Sequence, residues 1–273
     1  MTPEAEYTLK VAGIAMLIAA GTVDLVLGRR SRTHIYSIVV PLSVSVLLLC
    51  LAIVTRWIRE EQGPFLTLYD VLLSNLFSLS LIFIFIYSLV PRLRVTSVVV
   101  LPVLVILGLW LMKVPSAAEP LPATFDNPWL WLHVASGKIF LGLCLVSAAA
   151  ASQLLLHDSP LISGFATRGL DPLAVDAALW PLFSLAFICH TFMLITGAAW
   201  AYSAWGRYWA WDPLETWTLI TWLVIGLILH LRVTYRTIPR QVTWSAVVVV
   251  FVLAFLTFFG IPFLSSAPHK GVM

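Results

Sequence analysis

The chain has 273 residues, 60% of them hydrophobic and only 11% charged. A soluble domain carries about 25% charged residues, so the composition excludes an ordinary water-soluble fold. The net charge of +3 is small and scattered, with no basic tail or block, which excludes a nucleic-acid partner. Cys50, Cys144 and Cys189 each stand alone in an apolar run. They read as small core residues rather than a disulfide framework.

Apolar runs recur along the whole chain, roughly at 8–28, 35–55, 68–90, 95–112, 129–156, 177–201, 214–231 and 242–262. Each is long enough to cross a hydrocarbon layer of ~30 Å at about 1.5 Å per residue. Backbone groups in lipid must be satisfied within each segment. The expected fold is therefore an all-α integral membrane protein, a bundle of about eight transmembrane helices forming one polytopic domain over 1–273. The N-terminus MTPEAEYTLK is acidic and lacks the basic start of a signal peptide, so the first run is expected to be a retained helix. The two densest basic runs, RRSR (29–32) and RVTYRTIPR (232–240), fall on the same side if the N-terminus lies outside. That side is then cytoplasmic. Both termini, the Pro-rich loop 113–128 and the loop after the sixth span are placed outside.

That last loop is the unusual stretch. Six of the twelve tryptophans lie between Trp200 and Trp222, around a polar cluster of Arg207, Asp212 and Glu215. Asp212-Pro213-Leu214-Glu215 has a capping residue, a proline at the first helical position and a carboxylate at the third, which predicts a capping box opening the seventh helix. Asp212 and Glu215 are open to two readings, cap or functional group. The tryptophans suit an interfacial aromatic belt. Trp205, Trp209 and Trp211, with Arg207 between them, equally suit a platform for a large planar apolar ligand with polar edges. In that second reading Arg207 meets a carboxylate of the ligand.

Six histidines complete the polar inventory. His133, near the outer end of the fifth span, and His269, in the outer tail, share a side with the Trp-rich loop. Each alone is an ordinary interfacial histidine; as a pair they suit axial ligation of a haem iron. His230 lies 18 residues after Asp212, about 27 Å along a helix axis, and marks the inner leaflet as a helix cap or a separate site. His190 sits in mid-span and is expected to hydrogen-bond a neighbouring helix. His34 and His157 fall in inner loops, and Asp70 reads as a helix cap.

The run WGRYWAWDPLETWTLITWLVIGLILHLR (205–232), which covers most of the segment 199–230, closely resembles the tryptophan-rich WWD signature of haem-handling proteins of cytochrome c maturation. It fits the CcsA/ResC branch, system II, better than the CcmC or CcmF branches. RWIREEQGPFLTLYD, WLWLHVASGKIFLG and ITGAAWA resemble further segments of that branch. Leu214 departs from the family's frequent lysine, and Gln62-Gly63 from its Gly-His.

The resemblance implies a haem transport and presentation subunit of a cytochrome c synthetase. In it His133 and His269 ligate the iron of haem b at an external site, and Trp205, Arg207, Trp209, Trp211 and Asp212 belong to the platform. His230 marks the inner haem path. The implied partners are a ResB/CcsB-type membrane protein, a thiol-reducing thioredoxin-like protein and apocytochrome c with its CxxCH cysteines. The implied location is a plasma, inner or thylakoid-type membrane. The chain has no CxxCH of its own, so it carries no covalently attached haem itself. It would act as a haem lyase component with a partner. Two other readings stand beside this one. A haem-binding membrane regulator or assembly factor of haem biosynthesis, or of a related CcmC-like branch of cytochrome c maturation, is the first. A quinol-oxidising cytochrome b subunit is the second, disfavoured because His190 and His230 lie at different depths.

Overall fold

The structure is a computed structural model and describes residues 2–27, 34–63, 66–117, 122–157, 170–235 and 237–261. Among the described residues, eight helices are long and apolar enough to cross a membrane, the fourth of them running over Pro91–Leu111. Their α-helical parts are α1 (Pro3–Leu27), α2 (His34–Glu60), α3 (Leu68–Leu89), α4 (Ser97–Leu111), α5 (Pro128–His157), α6 (Pro172–Trp205), α7 (Pro213–Thr234) and α8 (Arg240–Phe259). A 3-10 turn, Pro91–Thr96, leads directly into α4. The protein is a multi-pass, all-α membrane protein. The observed helix α6 outruns the apolar span 177–201 at both ends. It starts at the polar Asp171–Pro172 cap and continues through Tyr202 to Trp205, residues that a hydropathy reading discounts.

Chain contacts group the residues into two compact units, one over Met1–Pro120 and the other over Leu121–Ser163 and Asp171–Gly271 with small additions. In the first unit α1 packs on α2 and α4, and α3 packs on α2 and α4, so four helices close into a ring. Small residues set the close approaches, as is usual where lipid removes the hydrophobic drive between helices. A side chain at Gly13 would meet Leu49 at 3.1 Å, and one at Gly108 would meet Ile14 at 3.2 Å. Ser45 adds a polar tie, its hydroxyl donating to the Gly13 carbonyl at 2.7 Å.

At one end of this unit the helices are joined by charge. Arg56 on α2 donates through Nε to Asp70 on α3, and its two terminal nitrogens donate to the Ser116 and Ala117 carbonyls at 3.1 and 3.2 Å. Arg59 pairs with Glu6 of α1 at 2.6 Å, and the Tyr69 hydroxyl donates to the same carboxylate at 2.7 Å. The guanidinium of Arg56 also lies over the Tyr69 ring, 4.7 Å from its centre. Asp70 does cap α3, as expected. The Thr67 hydroxyl accepts from the Asp70 N–H, and the Asp70 carboxylate accepts from the Thr67 N–H at 3.1 Å, a complete capping box. Yet Asp70 is also the buried partner of Arg56, which local sequence does not reveal.

In the second unit α5 is central. It packs on α6 along most of its length and also on α8, while α7 attaches to α6 and α8. Ala148, Ala149, Ala150 and Ala151 are all buried, so neighbours approach α5 from several directions. Pro128, Pro172 and Pro213 occupy first helical positions, where the missing N–H costs nothing. The three cysteines are free; Cys144 is buried as expected of a core residue, whereas Cys50 and Cys189 are only partly buried.

Removing one member of a buried charge pair leaves the other uncompensated and costs about 3–5 kcal/mol. Arg56→Ala, whose side chain and that of Asp70 are each 3% exposed, is expected to destabilise the protein by that amount. Arg59→Ala, at a side chain 20% exposed, is expected to cost only about 1 kcal/mol. Unfolding in mixed detergent micelles measures both, and equal losses would contradict this ranking.

Candidate functional site

Helix α6 ends on Gly206, whose φ of 71° is the left-handed conformation glycine supplies without strain, and its N–H closes on the Tyr202 carbonyl. Six residues later Asp212 opens α7. Its carboxylate accepts from the Glu215 N–H at 2.8 Å and its carbonyl from the Thr216 N–H at 2.9 Å. The expected cap is therefore present, with one difference. The Glu215 side chain does not return to the capping residue; it accepts from the N–H of Ala210, at 2.7 Å, inside the loop. Glu215 is buried, so this bond holds the loop down on the start of α7.

Between these two ends the aromatic residues form pairs. Tyr202 stacks on Tyr208 with centroids 4.4 Å apart, and Trp209 meets Trp211 edge-on at 5.9 Å. Trp211 is 69% exposed and has φ of 61°, left-handed for a residue with a bulky side chain. That conformation costs about 1–2 kcal/mol and is held by the bonds on either side of it. Arg207 is exposed. The Trp209 indole N–H is buried and has no acceptor among the described residues.

Trp200, one turn before Trp205, connects this loop to the histidine of α5. Its indole N–H donates to the Thr124 carbonyl at 2.8 Å, and its ring meets Phe125 at 5.4 Å and Trp205 at 4.9 Å. Its other face lies nearly parallel to the His133 imidazole, 6.2 Å away. The Nδ1 of His133 sits 2.8 Å from the carbonyl oxygen of Met193 on α6. A carbonyl only accepts, so Nδ1 carries the proton and the neutral ring keeps its lone pair on Nε2. This is the arrangement in which an imidazole ligates a metal, one nitrogen donating to a carbonyl and the other facing the metal.

His133 and Trp205 are thus brought together through Trp200, and Asp212 is committed to the helix cap. His269 lies outside the described residues. His230 is exposed near the far end of α7, in its last turns, and a helical rise of about 27 Å separates it from Asp212. His190 contradicts expectation. It is fully buried and stacked on Phe140, centroids 4.0 Å apart, and neither ring nitrogen has a partner among the described residues.

The residues that sequence reasoning missed all act across helices. Met193, Gly197 and Trp200 recur at the spacing of one helical face, a signal that exists only once His133 is known to lie opposite. Asp176 was also missed. Its carboxylate accepts from the indole N–H groups of Trp180, at 3.0 Å, and Trp244, at 2.7 Å, and from Arg232 at 3.1 Å. Arg232 lies over the Trp180 ring, and the cluster joins α6, α7 and α8 two residues beyond His230.

Residues 39–269 match the family model described as Cytochrome C assembly protein. The chain belongs to that family. It is similar to the cytochrome c biogenesis protein CcsA of Guillardia theta, 28% identical over 254 residues and covering 83% of each chain. The CcsA proteins of Chlamydomonas reinhardtii and Synechococcus sp. (strain RCC307) are 26% and 27% identical, over 85% and 82% of this chain and 64% and 81% of theirs. The solved structure of the cytochrome c haem lyase CcmF matches with a TM-score of 0.69 at 18% identity. That likeness shows a shared fold, over 99% of this chain and 48% of the CcmF chain.

The Asp176 cluster should matter in proportion to the bonds each residue makes. Asp176→Ala strands three donors and is expected to cost about 2–3 kcal/mol, less than a fully buried pair because Arg232 is partly exposed. Trp244→Phe removes one donor and is expected to cost about 1 kcal/mol. Unfolding midpoints of the purified variants check this, and a larger loss for Trp244→Phe would assign the stability to ring packing instead.

Proposed function

We propose that the protein is the haem-handling subunit of a cytochrome c synthetase, holding haem as its substrate at the Trp-rich end of α5 and α6. The observation that carries this is the His133 ring, with Nδ1 bonded to the Met193 carbonyl beside an aromatic loop that is largely exposed. The lone pair on Nε2 suits a haem iron. The platform of Trp205, Trp209 and Trp211 suits the flat macrocycle. The buried Trp209 N–H, without an acceptor among the described residues, and the exposed Arg207 suit the propionate edge. Family membership and the names carried by its CcsA relatives support the same reading.

Presentation, rather than chemistry by a side chain of this protein, is the work such a site does. The nucleophile is the thiol of an apocytochrome c CxxCH. Its sulfur bonds to a vinyl carbon, the vinyl double bond is lost, and the thiol proton passes to the neighbouring carbon. The chain's contribution is to hold the iron and bury one face of the ring while leaving the vinyl edge open. His269 would be the second axial ligand and His230 the mark of an inner haem site, as the resemblance implies. The Trp-rich loop then faces outward, and a second membrane protein, together with the apocytochrome, completes the site. Trp211→Gly relieves a left-handed bulky residue, so it is expected to leave stability unchanged or raise it by up to ~1 kcal/mol. It should nonetheless lower haem retention by removing platform surface.

The decisive experiment is the absorption spectrum of purified protein with single histidine substitutions, alongside holocytochrome c yield. His133→Ala is expected to lose both bound haem and holocytochrome while the protein still accumulates in the membrane. Normal haem content and normal cytochrome maturation in that variant would overturn the proposal.

A further inference from the structure

Gly197 lies in the interior of α6, where glycine weakens a helix relative to alanine. Its backbone is ordinary right-handed helix, so the chain's conformation does not call for glycine there. Space does. A Cβ at this position would stand 2.6 Å from Nδ1 of His133 and 2.8 Å from its Cε1, distances real Cβ atoms essentially never show. The atom nearest the missing side chain is the same nitrogen that bonds the Met193 carbonyl. Any side chain at 197 therefore pushes the ring off that carbonyl. Trp200, nearly parallel to the ring at 6.2 Å, bounds it on another side and is itself held by its bond to Thr124 and by Phe125.

We infer that Gly197 is a positioning residue for the ligand histidine: with the Met193 carbonyl and the Trp200 ring it forms a slot that holds the His133 imidazole in the Nδ1–H tautomer, Nε2 presented to haem iron. Met193, Gly197 and Trp200 stand at i, i+4 and i+7, so one face of α6 supplies the whole slot. The Met193 carbonyl also accepts the Thr196 hydroxyl at 3.2 Å, which fixes the acceptor in turn. A carbonyl partner on the distal nitrogen both orients a ligating imidazole and raises its basicity, and loss of such a partner typically weakens metal binding 10–100-fold. This inference rests on the proposal that His133 ligates haem, and its test separates the two.

The experiment compares haem content, haem affinity and the ferric and ferrous spectra of five purified proteins: wild type, His133→Ala, His133→Gly, Gly197→Ala, and Gly197→Ala combined with His133→Gly. Each is measured with and without added imidazole. Gly197→Ala is expected to retain a folded protein but bind haem about 10–100-fold more weakly with altered axial-ligand bands. In the His133→Gly background with imidazole supplied there is no tethered ring to displace, so adding Gly197→Ala should have no further effect. Wild-type affinity and spectrum in Gly197→Ala, with haem lost in His133→Ala, would overturn the inference and leave the haem site standing. Unchanged haem in His133→Ala would overturn the haem site itself. An equal loss from Gly197→Ala in both backgrounds would assign glycine to helix packing alone and also overturn the inference. Should Gly197→Ala fail to accumulate, nitrogen NMR of histidine-labelled wild type in detergent decides. A neutral His133 protonated on Nδ1 is expected, and one protonated on Nε2 would overturn the inference.

Discussion

A hydrogen bond from the His133 imidazole to the Met193 carbonyl joins α5 to α6. In lipid apolar surface gives little drive to associate, and a polar contact between helices contributes about 0.6–2 kcal/mol. The bond's larger consequence is directional. It places the proton of the neutral ring on Nδ1 and the lone pair on Nε2, at a fixed place along α5. Trp200, Thr124 and the loop aromatics are arranged around that ring, and the helix termini that bracket the loop keep the arrangement at the bundle's end.

Polar groups elsewhere follow the same economy. In the first unit Arg56, Arg59, Asp70 and Glu6 form one connected cluster, and in the second unit Asp176 is satisfied by two indoles and a guanidinium. His190, like Gln153, is a buried polar side chain without a partner among the described residues, and its ring is held by stacking on Phe140. Burying an unpaired polar group costs free energy, so a neutral ring packed as an aromatic is the form this site tolerates.

What the sequence made legible was local. Eight spans, the Asp212 cap and the Asp70 cap all follow from hydropathy over a helical length and from residues within four positions of one another. The aromatic loop stood out for the same reason, six tryptophans in a short stretch. The partners that build the site were not legible, because Met193 lies 60 residues from His133, and Thr124 lies 76 from Trp200. Sequence spacing carries no information about which faces of two helices meet. Glu215 shows the limit at short range: its pattern promised a return to the cap, but the loop's backbone turned Ala210 toward it first. Gly197 would have looked like a helix flaw until the ring beside it was placed.

Helix α7 is fastened to its neighbour at three heights. The Glu215 carboxylate grips Ala210 in the loop continuing from α6, the Trp222 indole donates to Thr191 at 2.8 Å, and Arg232 reaches Asp176 at 3.1 Å. A rod fastened in this way cannot slide or ratchet along its own axis. It acts as a ruler, holding His230 and the aromatic loop at a constant separation of more than 20 Å by helical rise. If both ends handle the same molecule, transfer between them cannot be a stroke of this helix. Over that distance Leu223 and Leu227 leave one flank of α7 exposed, so the two ends are joined by a fixed, apolar face rather than by a moving part.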